Sequence, residues 1–161
     1  MDTEISTWEG GLRLLLAVLF GAVVGWERER RERPAGLRTH MMVALGAAAF
    51  TLIAMEMIGA VHDLEETARF DPIRIIAYVV GGIGFLGAGA IIRTGEEVSG
   101  MTTAAGIWVV AGIGIACGVG YYMIALMTAA LAFITLTLFR LIEHRIFAHH
   151  NEKGDRSEGG G

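Results

Sequence analysis

One cysteine, two prolines and a charged fraction of 19% are what this 161-residue chain has little of. The single thiol, Cys117, excludes an internal disulfide framework. Two prolines beside 23 glycines exclude a disordered low-complexity chain. Also lacking are a nucleophile–base pair and a P-loop, so the expectation is a protein that is not an enzyme and needs no cofactor. The opening MDTEISTWEG carries no basic segment ahead of the first apolar block. A cleaved signal peptide is therefore not expected, and the first apolar block should be retained.

What is present is hydrophobic residue, at 53% of the chain with a mean hydropathy of +0.53, too apolar for an ordinary soluble domain. Apolar blocks near the roughly 17–25 residues that cross a bilayer fall at about 11–26, 39–60, 72–92, 101–118 and 121–142. The fold expected is an all-α, polytopic membrane bundle of about five transmembrane helices. Its three regions would be an acidic N-terminus over 1–10, a transmembrane domain over 11–145 and a polar tail over 146–161. Only a few residues separate the last two blocks, which should form a tight helical hairpin. Asp71-Pro72 reads as a helix start, with Asp as cap and Pro at the first helical position. Glu27/Arg31 and Glu29/Arg33 sit at i,i+4 and should extend the first helix as a salt-bridged turn until Pro34 breaks it.

Within 79–93, VVGGIGFLGAGAIIR, lies a literal G-x-G-x-x-G at Gly82, Gly84 and Gly87. A dinucleotide fingerprint needs a strand before it, a helix after it and an acidic residue about 20 positions on. Here the glycines lie midway along an apolar block, and the residues at that distance, around 107–110, are apolar. In a bilayer, glycines instead let helix backbones approach closely. Further small-residue rows occur at Gly21-x3-Gly25, Gly84-x3-Ala88, Gly112-x3-Ala116-x3-Gly120 and Gly114-x3-Gly118. The surplus of such rows predicts a homo-oligomer, most simply a dimer. Glycine is also costly in a helix, by about 1 kcal/mol per residue relative to Ala. A broken helix over 81–89, with Gly89 at its end, would be tolerated only where it lined a protected or watery cavity. That is the sequence's one hint of a permeation path.

Basic residues set orientation. Ten lie on one side: Arg28, Arg30, Arg31, Arg33, Arg38, Arg93, Arg140, Arg145, Lys153 and Arg156. Arg13, Arg69 and Arg74 lie on the other. The N-terminus is expected outside and the C-terminus in the cytoplasm. The arginines of the first link read as anchors to anionic lipid. Glu27 is not explained that way, and with Arg38, Thr39 and His40 it marks a polar cytoplasmic mouth or a patch for a partner. On the outer side, Glu56 and Arg74 are placed to pair, Arg13 to snorkel toward headgroups, and Asp71 to cap its helix.

No metal site is expected. Mg²⁺ seeks hard oxygen ligands, and Glu27, Glu56 and Asp71 divide between two faces. His144, His149 and His150 are spaced i,i+5 and i,i+6, which does not put two imidazoles on one helix face. The eight methionines read as flexible filler.

Three ordered motifs carry a resemblance. GWERERRERPAGLRTH at 25–40, DPIRIIAYVVGGIGFLGAGAI at 71–91 and VSGMTTAAGIWVVAGIGIACGVGYY at 98–122 closely resemble the bacterial MgtC/SapB membrane family, from about residue 11 to 140. Thr103, Trp108 and Cys117 fall in the third motif, the last two read first as packing residues. The resemblance implies a protein of the bacterial inner membrane linked to growth at low magnesium and, in pathogens, to survival inside macrophages. It also suggests a membrane partner such as the rotary ATP synthase. Well-known members continue into a soluble domain resembling the ACT fold, which these 161 residues do not contain. Thr102 stands where some virulence-associated members have Asn, and His40 is at a variable position. The function expected is that of a non-catalytic regulator of a membrane partner in low magnesium or stress. The alternative is a small transporter or channel for an ion, Mg²⁺ being one candidate. The lipid bilayer is the expected surrounding, and nucleic acid is not an expected partner.

Overall fold

The computed structural model describes residues 5–62 and 71–154. Arg69 and the end of the tail from 155 lie outside the described residues. The side chains of Arg140, Arg145, Lys153, Arg156 and the three C-terminal histidines lie outside the described side chains. Five helices run in chain order, α1 (Thr7–Glu29), α2 (Leu37–His62), α3 (Pro72–Gly89), α4 (Met101–Val119) and α5 (Tyr122–Gly154). Between α3 and α4 stand two short strands, β1 (Ile92–Thr94) and β2 (Glu97–Ser99). Three helical stretches, Thr7–Glu29, Leu37–Gly59 and Met101–Val119, are long and apolar enough to cross a membrane; Ile73–Gly89 and Tyr122–Leu138 are shorter apolar stretches. The chain is thus an all-α membrane bundle.

Helix ends follow local chemistry. The Asp71 carboxylate accepts from the Ile73 N–H at 2.9 Å, with Pro72 as the first helical residue. Asp71→Ala should cost about 1 kcal/mol. Thermal unfolding in detergent measures it, and an unchanged midpoint would remove the cap from the account. Glu29 does not pair with Arg33 as its spacing predicts. Its carboxylate folds forward and accepts from Leu37 N–H at 2.9 Å, satisfying an orphan donor at the start of α2. A Cβ on Gly36 would strike that carboxylate.

The third apolar block extends to 92 by composition, but its helix stops at Gly89. Ile92, Arg93 and Thr94 pair antiparallel with Ser99, Val98 and Glu97. Gly95 takes a φ of 64° in the two-residue turn, a conformation glycine adopts without steric cost. At the other end of α4, Gly120 has a φ of 94°; its N–H reaches Cys117 O at 3.0 Å while Tyr121 N–H reaches Ala116 O at 2.7 Å. This paired closure is a Schellman stop and turns the chain straight into α5.

Central in the bundle is α4, which touches all four other helices. Its partners come close because the contact residues are small. Gly114 and Gly118 lie against α2, where a Cβ on Gly118 would sit 2.8 Å from Ala48 O and 2.7 Å from Thr51 Cβ. Gly21 and Gly25 do the same from α1, 2.9 Å from His40 O and 2.8 Å from Leu37 Cα. The α3 row does not. A Cβ on Gly81, Gly82, Gly84 or Gly89 would meet nothing within 4 Å, and on Gly87 only Ala104 at ordinary contact. Nor is the helix broken there, since α3 is continuous from Pro72 to Gly89. Rows on α1 and α4 are used inside the chain, whereas Gly81, Gly82, Gly84 and Gly89 of α3 and Gly112 of α4 are left open.

Candidate functional site

The C-terminal turn of α1, the start of α2, the β1–β2 hairpin and the start of α4 meet at one end of the bundle. This basic end also receives Thr135 and Leu136 from α5. Ala17, Gly21, Val24, Gly25 and Arg28 form one buried stripe of α1, so the turn that packs Gly25 on α2 carries Arg28 inward. Arg28 is 5% exposed, and its Nη2 donates to the Thr103 hydroxyl at 2.5 Å. Glu27, also 5% exposed, pairs with Arg31 one turn on. His40 is fully buried, and its Nδ1 donates to the Gly36 carbonyl at 2.8 Å. Its Nε2 points toward α4, where a Cβ on Gly106 would lie 3.3 Å away. Three buried atoms here, Glu27 Oε2, Arg28 Nε and His40 Nε2, have no partner among the described residues. Such groups in apolar surroundings are costly, by about 1–3 kcal/mol each.

Beside them opens a cavity of about 550 Å³, lined by Glu27, Arg28, Arg31, Arg33, Ser99, Gly100, Thr102 and Thr103 among others. Guanidinium and hydroxyl donors outnumber the single carboxylate, so the chemistry available is hydrogen-bond donation to an acceptor. Among the described residues no three His, Cys, Asp or Glu side chains cluster as metal ligands.

Of the residues the sequence singles out, Glu27, His40 and Thr103 are brought to this end and buried. Arg38 and Thr39 are exposed on the outside of α2. Trp108 is 54% exposed and faces away from the core, against the expectation that it packs, whereas Cys117 is fully buried. Gly82, Gly84, Gly87 and Gly89 all lie on α3 and none of them lines the cavity, while Asp71 and Arg74 are exposed at the start of that helix. Arg28 is the member the sequence missed, since it reads there as one anchor among many.

At the opposite end, Arg13 does not snorkel. It is 9% exposed, donating from Nη1 to Gly118 O at 2.7 Å and from Nη2 to Glu9 at 2.5 Å. It thereby closes the C-terminus of α4, where a cation meets the negative helix end. Glu56 accepts from the Ile5 N–H at 3.2 Å, and the expected Glu56–Arg74 pair is absent among the described residues.

The pattern of the MgtC family matches residues 14–145, which takes in both ends of the bundle. The chain belongs to the MgtC family. MgtC-family relatives include protein MgtC of Salmonella typhimurium LT2, 45% identical over 135 residues, covering 84% of this chain and 54% of that protein. YhiD of Escherichia coli K12, described as a candidate magnesium transporter, is 37% identical over 135 residues, 84% of this chain and 62% of that protein. An uncharacterized protein of Haemophilus influenzae is 37% identical over 132 residues, 81% of this chain and 56% of its own. The chain thus spans a little over half the length of the MgtC-family proteins it matches. No solved structure matches it.

Proposed function

We propose that this MgtC-family chain is a non-catalytic protein of the bacterial inner membrane that regulates a membrane partner when magnesium is low or under stress. Its N-terminus lies outside, its C-terminus in the cytoplasm, with five crossings, and it works as a homo-oligomer. A rotary ATP synthase is a partner in keeping with the family resemblance. The observation that carries this reading over transport is where the polar groups stand. The described buried ionisable side chains are at the two ends, Arg13 at one and Glu27, Arg28 and His40 at the other. Between them the buried polar side chain is Thr51, whose hydroxyl donates to Ala47 O of its own helix at 2.8 Å. Through the same depth Gly114 and Gly118 press α4 onto α2. A cation crossing the core needs a succession of oxygen ligands along its path, and among the described residues the buried side chains between the two ends offer the one Thr51 hydroxyl.

The relative described as a candidate magnesium transporter makes flux the competing outcome. Purified protein in liposomes holding a Mg²⁺-sensitive dye should admit no more Mg²⁺ than empty liposomes. Uptake that scales with protein content would replace regulation with transport. A pull-down from native membranes then identifies the partner.

A further inference from the structure

The cavity at the basic end has a charge balance that the regulatory reading does not use. Its wall carries Arg28, Arg31 and Arg33 against one carboxylate, Glu27. Arg31 pairs with Glu27, which leaves the positive charges of Arg28 and Arg33 facing the space. Arg28 is the informative one. It is 95% buried, only one of its nitrogens has a described acceptor, and its Nε has none. A guanidinium carries five N–H donors, accepts nothing and stays charged, so burying it with donors unspent calls for an oxygen acceptor. The second element of the wall points the same way. The N-cap of α4 is Gly100, with a φ of 86° and no side chain to cap the first N–H groups of a 19-residue helix. Those N–H groups and the positive end of the helix open where Gly100, Thr102 and Thr103 line the cavity. Buried guanidinium, helix N-terminus and hydroxyls together make a cradle for a tetrahedral oxyanion.

We propose that this cavity binds a phosphate group, held by Arg28 and Arg33, the first N–H groups of α4 and the Thr102 hydroxyl. The two guanidinium charges of Arg28 and Arg33 suit either the single negative charge of a lipid phosphodiester or the dianion of free phosphate. The group arrives either on an anionic lipid headgroup or as free phosphate. The site is independent of which partner the protein regulates.

The test uses the full chain in a neutral detergent with two probes. Inorganic phosphate is titrated against chloride at matched ionic strength and read as the thermal midpoint. In parallel, vesicles of phosphatidylcholine with and without phosphatidylglycerol supply lipid, and native mass spectrometry counts the molecules retained. Phosphate should raise the midpoint by several degrees, or phosphatidylglycerol should be retained over phosphatidylcholine; the arm that responds names the source. Arg33→Gln and Thr102→Val, both at the exposed rim, should weaken that response about tenfold. Arg38→Gln, an exposed arginine at the same end but outside the cavity, should leave it unchanged. Arg28→Lys, which keeps the charge and loses the fork, should weaken it as well; if that variant does not fold, the rim variants decide. No preference for either probe over its control overturns the proposal. So does an equal loss from Arg38→Gln and Arg33→Gln, because the binding would then belong to the basic surface at large.

Discussion

Gly118→Leu is expected to be among the most damaging single changes in the chain, with Gly114→Leu close behind. The atoms in the way are the Ala48 carbonyl and the Thr51 side chain for Gly118, and the Ala44 carbonyl for Gly114. Backbone in a neighbouring helix cannot rotate aside as a side chain can, so the helices must separate along their length. Overpacking of this kind typically costs about 1–3 kcal/mol. We expect the upper end or complete loss of folded protein, because close approach supplies much of the association energy in a bilayer. Gly84→Leu is the matched comparison, since nothing lies within 4 Å of a Cβ there. It should leave the midpoint unchanged or raise it slightly, leucine being the better helix former by roughly 1 kcal/mol. Thermal unfolding in mild detergent ranks the three. If Gly84→Leu proved as harmful as Gly118→Leu, the α1–α2–α4 contact would not be what sets stability.

Arg13→Met should produce the other large loss, at the opposite end from the polar cavity. The substitution preserves much of the stem and removes the charge. It strips the Gly118 carbonyl of a charged donor held at 2.7 Å, where the last carbonyls of α4 most need one. A hydrogen bond from a charged group is worth about 1.5–3 kcal/mol, so a loss of about 2 kcal/mol is expected. Glu9 also touches the guanidinium, but its side chain is 46% exposed. Glu9→Gln should therefore cost well under 1 kcal/mol, as exposed pairs do. The double variant should behave like Arg13→Met alone. Equal losses from the two single variants would mean that the ion pair, and not the closure of α4, is what Arg13 contributes.

The helices were legible because hydropathy over about 20 residues is a strong signal, and Asp71-Pro72 marked its own helix start. Which small-residue row meets which helix was not legible. Gly84-x3-Ala88 and Gly114-x3-Gly118 are the same pattern, yet the first is open and the second presses on α2. Spacing puts residues on one face and says nothing of what faces them. Arg28 was readable in principle. It continues the stripe of Ala17, Gly21, Val24 and Gly25 at helical intervals, whereas Arg30 and Arg33 do not. Its acceptor, Thr103, is 75 residues away and was not readable. The β1–β2 hairpin was missed because strands of three residues, all exposed, leave no burial pattern to detect. Glu29 misled because an i,i+4 partner was available, and the orphan N–H of Leu37 was the stronger acceptor-seeker.

Arg13 and its acceptor are 105 residues apart, and that separation orders events during synthesis. When the first helix emerges, the carbonyl it will bind has not been translated. Glu9, one turn away, is available at once and shields the guanidinium as soon as the helix forms. The lasting contact forms only after α4 has reached its Schellman stop at Gly120. The Arg13 contact therefore latches late, from the last turn of α4 back to the first helix, and a nascent chain halted before Gly118 would hold α1 through α2 and the earlier turns of α4 only.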